Sequence, residues 1–219
     1  MPKIKKALIS LSDKSNLLPL LKCLKRHKIN IISSGGTYKI IKKLKFNCSE
    51  ISDFTKFPEI LNGRVKTLHP KIHAGILSKR KNKKHIQELK KNKFDNIDLV
   101  IVNFYPFENA TKKTSNHQKI IENIDIGGPT MVRAAAKNYN DVTVVTSIDQ
   151  YDELINELNH NDGSTTQKFR QKMSKEAFSE TAYYDSIISN YFNKVSNDKK
   201  KKKKVFYANL ISKLRYGEN

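Results

Sequence analysis

The stretch IDLVIVN at residues 97–103 is an apolar run of strand length, and it predicts a central strand of a sheet. The run from Ala7 to Ser12 has the same character, and leucines at helical spacing follow it. Ile29 to Ile32 predicts the next strand, so the chain begins with a strand–helix–strand unit. Strands and helices that alternate in this way favour an α/β fold of three layers around a mostly parallel sheet.

The rest of the chain continues this alternation. The pattern predicts helices over residues 38–44, 84–91, 118–123, 129–137, 151–158 and 165–192, and a strand over residues 142–145. Ser12 and Asp13 are suited to cap the first helix. Residues 48–77 lack a regular pattern, which predicts a long connection with a functional role.

The composition is strongly basic, since 42 Lys and Arg face 21 Asp and Glu for a formal net charge of +21. The cations are mostly lysines spread over nearly every polar segment, without an aromatic-basic recognition motif. We therefore expect a small anionic ligand and no nucleic acid. Cys23 and Cys48, which are not spaced as metal ligands, favour the reducing cytoplasm. No transmembrane span or secretory signal is expected, because no apolar run is long enough.

Polar clusters follow the first two predicted strands, where ligands of open α/β sheets bind. The first strand is closed by hydroxyl and ammonium groups, on Ser10, Ser12 and Lys14. The second strand is closed, just before a helix, by Ser34, Gly35, Gly36 and Thr37. Glycines let the backbone approach a phosphate, and a helix N-terminus offers free N–H groups. An ordinary tight turn is the alternative, but the nearby lysine favours a phosphate site. The P-loop pattern is absent.

A basic block occupies residues 63–70. Arg64 and Lys66 stand at alternate positions, and in extended backbone they would project to the same side. Such a pair could clamp an anion or stabilise a developing oxyanion, whereas a solvated basic loop is the alternative. His69 and His73 lack a third partner at ligand spacing, so we expect no metal site.

Two further clusters fall later in the chain. Asn103 ends the central strand and is followed by Phe104-Tyr105-Pro106. Asp125 precedes Ile126-Gly127-Gly128 and a helix, where it could simply be an N-cap, while the glycines offer backbone donors to a polar ligand. Lys137 lies about two turns into that helix, and the sequence leaves open whether its side chain reaches back.

In this order the clusters resemble the N-terminal IMP cyclohydrolase domain of the bifunctional AICAR formyltransferase/IMP cyclohydrolase family. Matching blocks run across residues 7–147, and a weaker match extends to about residue 192. The resemblance implies a methylglyoxal synthase-like, three-layer Rossmann-like α/β fold with a helical C-terminal extension. Methylglyoxal synthase itself, or a regulatory phosphate-binding domain without catalysis, is the alternative. Neither is expected to combine the block at 64–67 with that at 125–128.

The resemblance implies ring closure of 5-formamidoimidazole-4-carboxamide ribonucleotide to inosine monophosphate (IMP) with loss of water. It implies that Lys66 and Tyr105 stabilise the oxyanion and that Asp125 and Lys137 form a proton-transfer pair. The residues that it implies for substrate and phosphate binding are Ser10, Ser12, Lys14, Ser34, Gly35, Gly36, Thr37, Arg64, Thr67, Asn103, Ile126, Gly127 and Gly128. No cofactor is implied for this reaction, and 10-formyltetrahydrofolate would serve only a formyltransferase domain.

The resemblance also implies how the chain is divided. Residues 1–147 would be the cyclohydrolase core, and residues 148–194 its helical completion. Residues 195–204, which include six consecutive lysines, would be a linker. Residues 205–219 would be the start of a formyltransferase domain that is otherwise missing. The oligomeric state is left open, with a homodimer as one candidate.

Overall fold

The computed structural model describes residues 3–196, 205, 206 and 208. The strands of its sheet are β1 Lys6–Leu11, β2 Asn30–Ser33, β3 Ser49–Glu50, β4 Leu99–Asn103 and β5 Thr143–Val145. They lie in the order β3-β2-β1-β4-β5, and each neighbouring pair is parallel. The predicted α/β fold with a mostly parallel sheet is thus confirmed.

Helices connect the strands and cover the sheet. In the described part of the chain they are α1 Leu17–Arg26, α2 Gly35–Lys43, α3 Ile51–Thr55, α4 Pro70–Leu77, α5 Lys83–Lys91, α6 Phe107–Lys113, α7 His117–Ile121, α8 Gly127–Lys137, α9 Tyr151–His160 and α10 Gln167–Val195. Short 3₁₀ turns cover Leu61–Gly63 and Ile148–Gln150. None of these helices is both long and apolar enough to cross a membrane.

The central strands are buried on both faces. Leu8 and Ile9 of β1 and Val100 of β4 have no solvent exposure, because helices lie over each side of the sheet. Strands covered on both sides need apolar residues at successive positions instead of an alternating pattern. This is why the continuous apolar runs at 7–9 and 99–102 locate the centre of the sheet.

A second apolar cluster lies beside the main core. Its buried members are Phe107, Ile120, Tyr184 and Ile187. Phe104 packs against both clusters and therefore connects them. The long helix α10 runs along α8 and β5 and continues to α6, so its second half carries Tyr184 into this cluster.

Two local expectations are wrong. Asn16, in the left-handed conformation, occupies the cap position of α1, whereas the Asp13 carboxylate accepts hydrogen bonds from the amide and hydroxyl of Ser15 (2.9 and 2.7 Å). Residues 48–77 hold β3, α3 and α4, three elements of two to eight residues. Elements this short give no clear periodicity in sequence.

The division of the chain stays a prediction. Most of the expected linker, residues 197–204, and of the expected formyltransferase start, residues 207 and 209–219, lies outside the described residues.

Candidate active site

The site lies at the carboxyl ends of β1 and β4, the neighbours at which the strand order of the sheet reverses. Asn103, at the end of β4, binds the backbone that leaves β1. Its Oδ1 accepts from the amides of Ser12 and Asp13 (2.6 and 3.1 Å), and its Nδ2 donates to the Asp13 carbonyl (2.7 Å). Asn103, predicted to bind substrate, thus uses both ends of its amide to shape the β1 exit.

The start of α2 is fixed against the same strand. Thr37 is buried, and its hydroxyl accepts from the Leu11 amide (2.9 Å) and donates to the Leu11 carbonyl (3.0 Å). Ser33 donates to the Ile9 carbonyl (2.7 Å). The Thr37 hydroxyl is therefore occupied, and this residue offers a ligand only its backbone N–H.

The N-terminus of α2 is open. Ser34 precedes it in extended conformation without a side-chain cap, and Gly35 adopts a left-handed φ of 53°. A Cβ on Gly36 would lie 3.6 Å from Cε of Lys14, and a Cβ on Gly35 would lie 3.6 Å from Nζ of Lys66. Two lysines therefore flank the free N–H groups and the positive end of the helix dipole. This arrangement suits an anion such as a phosphate.

Lys14 is held in place by its own loop. Its ammonium group donates to the Ser12 carbonyl (2.7 Å), close to the start of α2. The Ser12 carbonyl thus holds the Lys14 side chain near the site. Ser10 lies one residue before the end of β1. The predicted gathering of the first two clusters at one edge of the sheet is what the structure shows.

Asp125 stands at the start of α8 and is partly buried. Its Oδ1 accepts from the Gly128 amide (2.9 Å). Burial raises the pKa of this carboxyl group, and the hydrogen bond from Gly128 and the positive charge of Lys66 partly oppose the rise. The charge of Lys66 therefore lowers the pKa of Asp125, and its ammonium group also lies beside Gly35. One cation is shared by the two halves of the site.

The glycines before α8 make room for protein atoms. A Cβ on Gly128 would overlap the Asp125 carboxylate, and a Cβ on Gly127 would overlap the hydroxyl of Thr67, which is buried behind it. The Gly128 amide is already used by Asp125. We predicted that this glycine pair offers backbone donors to a ligand, and for Gly128 the structure contradicts this.

The predicted pairing of Arg64 with Lys66 on one side of an extended strand is wrong. Arg64 has right-handed helical backbone (φ −65°, ψ −27°), because the turn at Leu61–Gly63 ends on it. Its guanidinium forms an ion pair with the carboxylate of Glu122, to which Nε also donates (3.2 Å). Substrate binding by Arg64 stays a prediction.

Three predicted residues lie at the rim or beyond it. Tyr105, just past the end of β4, is 51% exposed, and Ile126, just before α8, is 57% exposed. Lys137 is the last residue of α8, about 15 Å along the helix axis from Gly127. That is more than a lysine side chain spans, so Lys137 lies away from Gly127, and its role in proton transfer stays a prediction.

Sequence reasoning missed Tyr184. Its hydroxyl accepts from the Asp125 amide (2.8 Å) and donates to the Asn123 carbonyl (3.4 Å). Only the helical spacing of α10 hinted that this tyrosine faces inward. His73, which we considered as a metal ligand, is partly buried in α4: burial lowers its pKa, and a hydrogen bond with the Thr67 backbone partly opposes this shift. Among the described residues, no group of three His, Cys, Asp or Glu could hold a metal ion.

Two family models match the chain. One is described as an MGS-like domain and matches residues 16–130. The other, described as the AICARFT/IMPCHase bienzyme, matches residues 135–219. Together they cover most of the sequence, and the resemblance predicted from the motifs is confirmed.

Curated relatives share the name bifunctional purine biosynthesis protein PurH. The protein of Bradyrhizobium diazoefficiens is 44% identical over 99% of this chain and 41% of its own length. That of Prochlorococcus marinus is 47% identical over 97% of this chain and 41% of its own. That of Buchnera aphidicola subsp. Schizaphis graminum is 49% identical over 99% of this chain and 42% of its own. The chain thus spans about two-fifths of the length of these relatives.

A solved structure, described as the crystal structure of ForH, has the same fold. It is 29% identical, with a TM-score of 0.77 over 86% of this chain and 97% of its own. By its motifs, its sheet and the match over residues 16–130, this chain belongs to the family of MGS-like domains, and its carboxyl-terminal part matches the AICARFT/IMPCHase bienzyme.

Proposed function

We propose that this chain is an IMP cyclohydrolase of de novo purine biosynthesis. It would close the second ring of 5-formamidoimidazole-4-carboxamide ribonucleotide to give IMP. One observation carries the proposal: Lys66 lies at the open N-terminus of α2 and also acts on the partly buried Asp125. The ammonium group of Lys66 is therefore close to both the anion site and the Asp125 carboxylate. A substrate with a phosphate at one end and a reacting amide at the other needs both of these groups in one site.

The ribonucleotide phosphate would bind at the N-terminus of α2. The free N–H groups of residues 35–37 would donate to its oxygens, and Lys14 would neutralise part of its charge. Gly35 and Gly36 leave this approach unobstructed. Because the phosphate is fixed at one end, the base of the nucleotide can extend toward Lys66 and Asp125.

The reaction joins the carboxamide nitrogen to the formyl carbon. The carboxamide nitrogen loses a proton as it attacks, and the formyl oxygen takes up negative charge and then a proton to become a hydroxyl group. The formamide nitrogen then gives up its proton, the C–O bond breaks, and the hydroxyl leaves as water while a C=N bond forms. The C=O bond is thus replaced by one new C–N bond and one C=N bond, and no electrons are gained or lost. We therefore expect no cofactor for this step.

Three side chains would lower the barrier. Lys66 and the exposed Tyr105 would donate hydrogen bonds to the formyl oxygen as its charge develops. Asp125 would accept the proton of the carboxamide nitrogen, which is a poor nucleophile until it loses it. Burial helps here, because a carboxylate with a raised pKa is a stronger base. Lys137, the last residue of α8, would be the partner of Asp125 in this proton transfer, and this role stays a prediction.

The test is absorbance-monitored conversion of the formylated nucleotide to IMP by purified residues 1–219. We expect turnover without folate or added metal. Lys66→Ala should raise the barrier by about 3 kcal/mol or more, which is the effect of losing an oxyanion donor. Lys39→Ala removes an exposed lysine from α2 and serves as the charge-matched control. Near-normal turnover by Lys66→Ala would refute its assignment.

A regulatory phosphate-binding domain without catalysis is the second candidate, favoured by the α2 site, which needs no catalytic residue to hold a phosphate. Binding of IMP without turnover of the formylated precursor would support it. Turnover of dihydroxyacetone phosphate would instead indicate methylglyoxal synthase. A cytoplasmic location, a homodimer, and formyl transfer from 10-formyltetrahydrofolate by a further domain belong to the proposal, as does the absence of a nucleic-acid partner.

A further inference from the structure

Tyr184 connects helix α10 to the candidate active site. It lies 17 residues after Gln167, the first residue of α10, and its side chain is 4% exposed within the second apolar cluster. A tyrosine this deeply buried needs a partner for its hydroxyl. Its partners belong to the segment that leads to Asp125.

The hydroxyl of Tyr184 fixes the backbone of that segment at two points. It accepts from the Asp125 amide at 2.8 Å and donates to the Asn123 carbonyl at 3.4 Å. The carboxylate of Asp125 is fixed separately by the Gly128 amide. Without the phenol oxygen, the Asp125 amide would lose its acceptor in a partly buried place, and the segment would shift to recover one.

The ring of Tyr184 contacts a second segment of the site, the one that follows β4. It lies against Phe104, with 5.0 Å between ring centroids and 51° between ring planes. Phe104 directly precedes Tyr105. One side chain therefore contacts the backbone of the proposed base and the neighbour of a proposed oxyanion donor.

The Tyr184 hydroxyl is suited to hold the backbone by hydrogen bonds and unsuited to act as an acid or a base. Burial raises the pKa of its phenol to about 12. The phenol thus stays protonated wherever the protein is folded at ordinary pH, and it can donate and accept at the same time.

We propose that Tyr184 is a positioning residue for ring closure, which sets the place of Asp125 relative to Tyr105. This inference rests on the proposed cyclohydrolase function. It gives the second half of α10 a role in catalysis beyond packing. Since misplacing reacting groups slows a reaction without weakening substrate binding in proportion, the effect should fall on kcat.

The test compares Tyr184→Phe with Tyr191→Phe. Tyr191 lies on the same helix and against the same cluster, and its hydroxyl pairs with Nδ1 of His117 (2.8 Å), away from Asp125. Each variant keeps its ring and loses one hydroxyl. We expect Tyr184→Phe to lower kcat by about tenfold with KM changed by less than about twofold. Tyr191→Phe should leave both near the wild-type values.

A second readout does not depend on turnover. Hydrogen exchange at the Asp125 amide, followed by NMR, should be faster in Tyr184→Phe and unchanged in Tyr191→Phe. Unchanged exchange, or a kcat equal to that of Tyr191→Phe, would overturn the inference while wild-type turnover upholds the proposed function. A wild-type chain without turnover would refute the proposed function and the catalytic part of this inference, and exchange would then decide the positioning part alone.

Discussion

Two helices of this protein begin with a pair of glycines, and the two starts serve different purposes. At α2, Gly35-Gly36 follows a serine that makes no cap, and the nearby charges are the lysines 14 and 66. At α8, Gly127-Gly128 follows Asp125, whose carboxylate accepts from the Gly128 amide. The first start is open to an anion from outside, and the second is closed by an anion of the chain itself.

The difference shows that a glycine pair does not define a ligand site by itself. What matters is the charge and reach of the side chain before it. At α2 the glycines leave space that a substrate can use, whereas at α8 they leave space that Asp125 and Thr67 already fill. The closed start holds the carboxylate where the charge of Lys66 acts on it, which is where the proposed reaction needs a base.

The largest effect should be the difference in stability between two variants that each add a methyl group, one at the start of α8 and one at the start of α2. Gly128→Ala places a Cβ on the Asp125 carboxylate, so the carboxylate must move. We expect a loss of about 2 kcal/mol in the free energy of unfolding together with a fall in kcat. Gly36→Ala meets only the flexible end of Lys14, so its stability should match the wild type while KM rises. Urea unfolding and steady-state kinetics measure both, and equal loss of stability in the two variants would contradict the comparison.

The next effect concerns the open start. Lys14→Ala removes one of the two lysines beside α2. We expect IMP to bind about tenfold more weakly, because a charge-assisted hydrogen bond to phosphate contributes roughly that much. Calorimetry at two salt concentrations measures it, with Lys39→Ala as the control for net charge. If the two variants bind IMP equally well, the phosphate does not lie at the start of α2.

The smallest effect concerns stability against pH. Burial raises the pKa of Asp125 above its ordinary 3.8, so the folded state binds this proton more tightly than the unfolded state. The resulting gain in stability is fully present below pH 3.8 and is lost as pH rises through the folded pKa. Asp125→Asn cannot make this gain. Its melting temperature, relative to the wild type, should therefore fall as the solution is acidified toward pH 3.8.

Asp13 provides the opposite control. Hydrogen bonds from Ser15 lower the pKa of its carboxyl group, so its contribution to stability is lost as pH falls through the folded pKa. Asp13→Asn should therefore gain melting temperature relative to the wild type on acidification. The same sign in both variants would show that burial does not control Asp125.

Much of the fold could be predicted because the central strands are buried on both faces. Continuous apolar runs mark β1 and β4, and the polar residues after them locate the site. The anion site at α2 was also predictable, since Ser34 to Thr37 are contiguous in sequence and Lys14 follows the neighbouring strand β1. These features depend on local patterns.

Contacts between distant segments could not be predicted in this way. Tyr184 is 59 residues from Asp125, and the helical pattern around it says only that it faces inward. Arg64 meets Glu122 from 58 residues away, which an isolated basic block cannot reveal. The turn at residues 61–63 also changed the direction of Arg64. Its Asn62-Gly63 pair, in which both residues have a positive φ, is a turn signal that our interpretation of the basic block overlooked.

Asn103 has a consequence for how this sequence can drift in evolution. Its side chain supplies an acceptor to two amides and a donor to one carbonyl of the loop that leaves β1. Aspartate would keep the acceptor and lose the donor, leucine would lose both, and glutamine would move both by one methylene. Each single substitution thus disturbs the loop that carries Lys14. Variation at this position is limited because one short side chain must supply both a hydrogen-bond acceptor and a donor. A substitution here would leave the sheet itself intact.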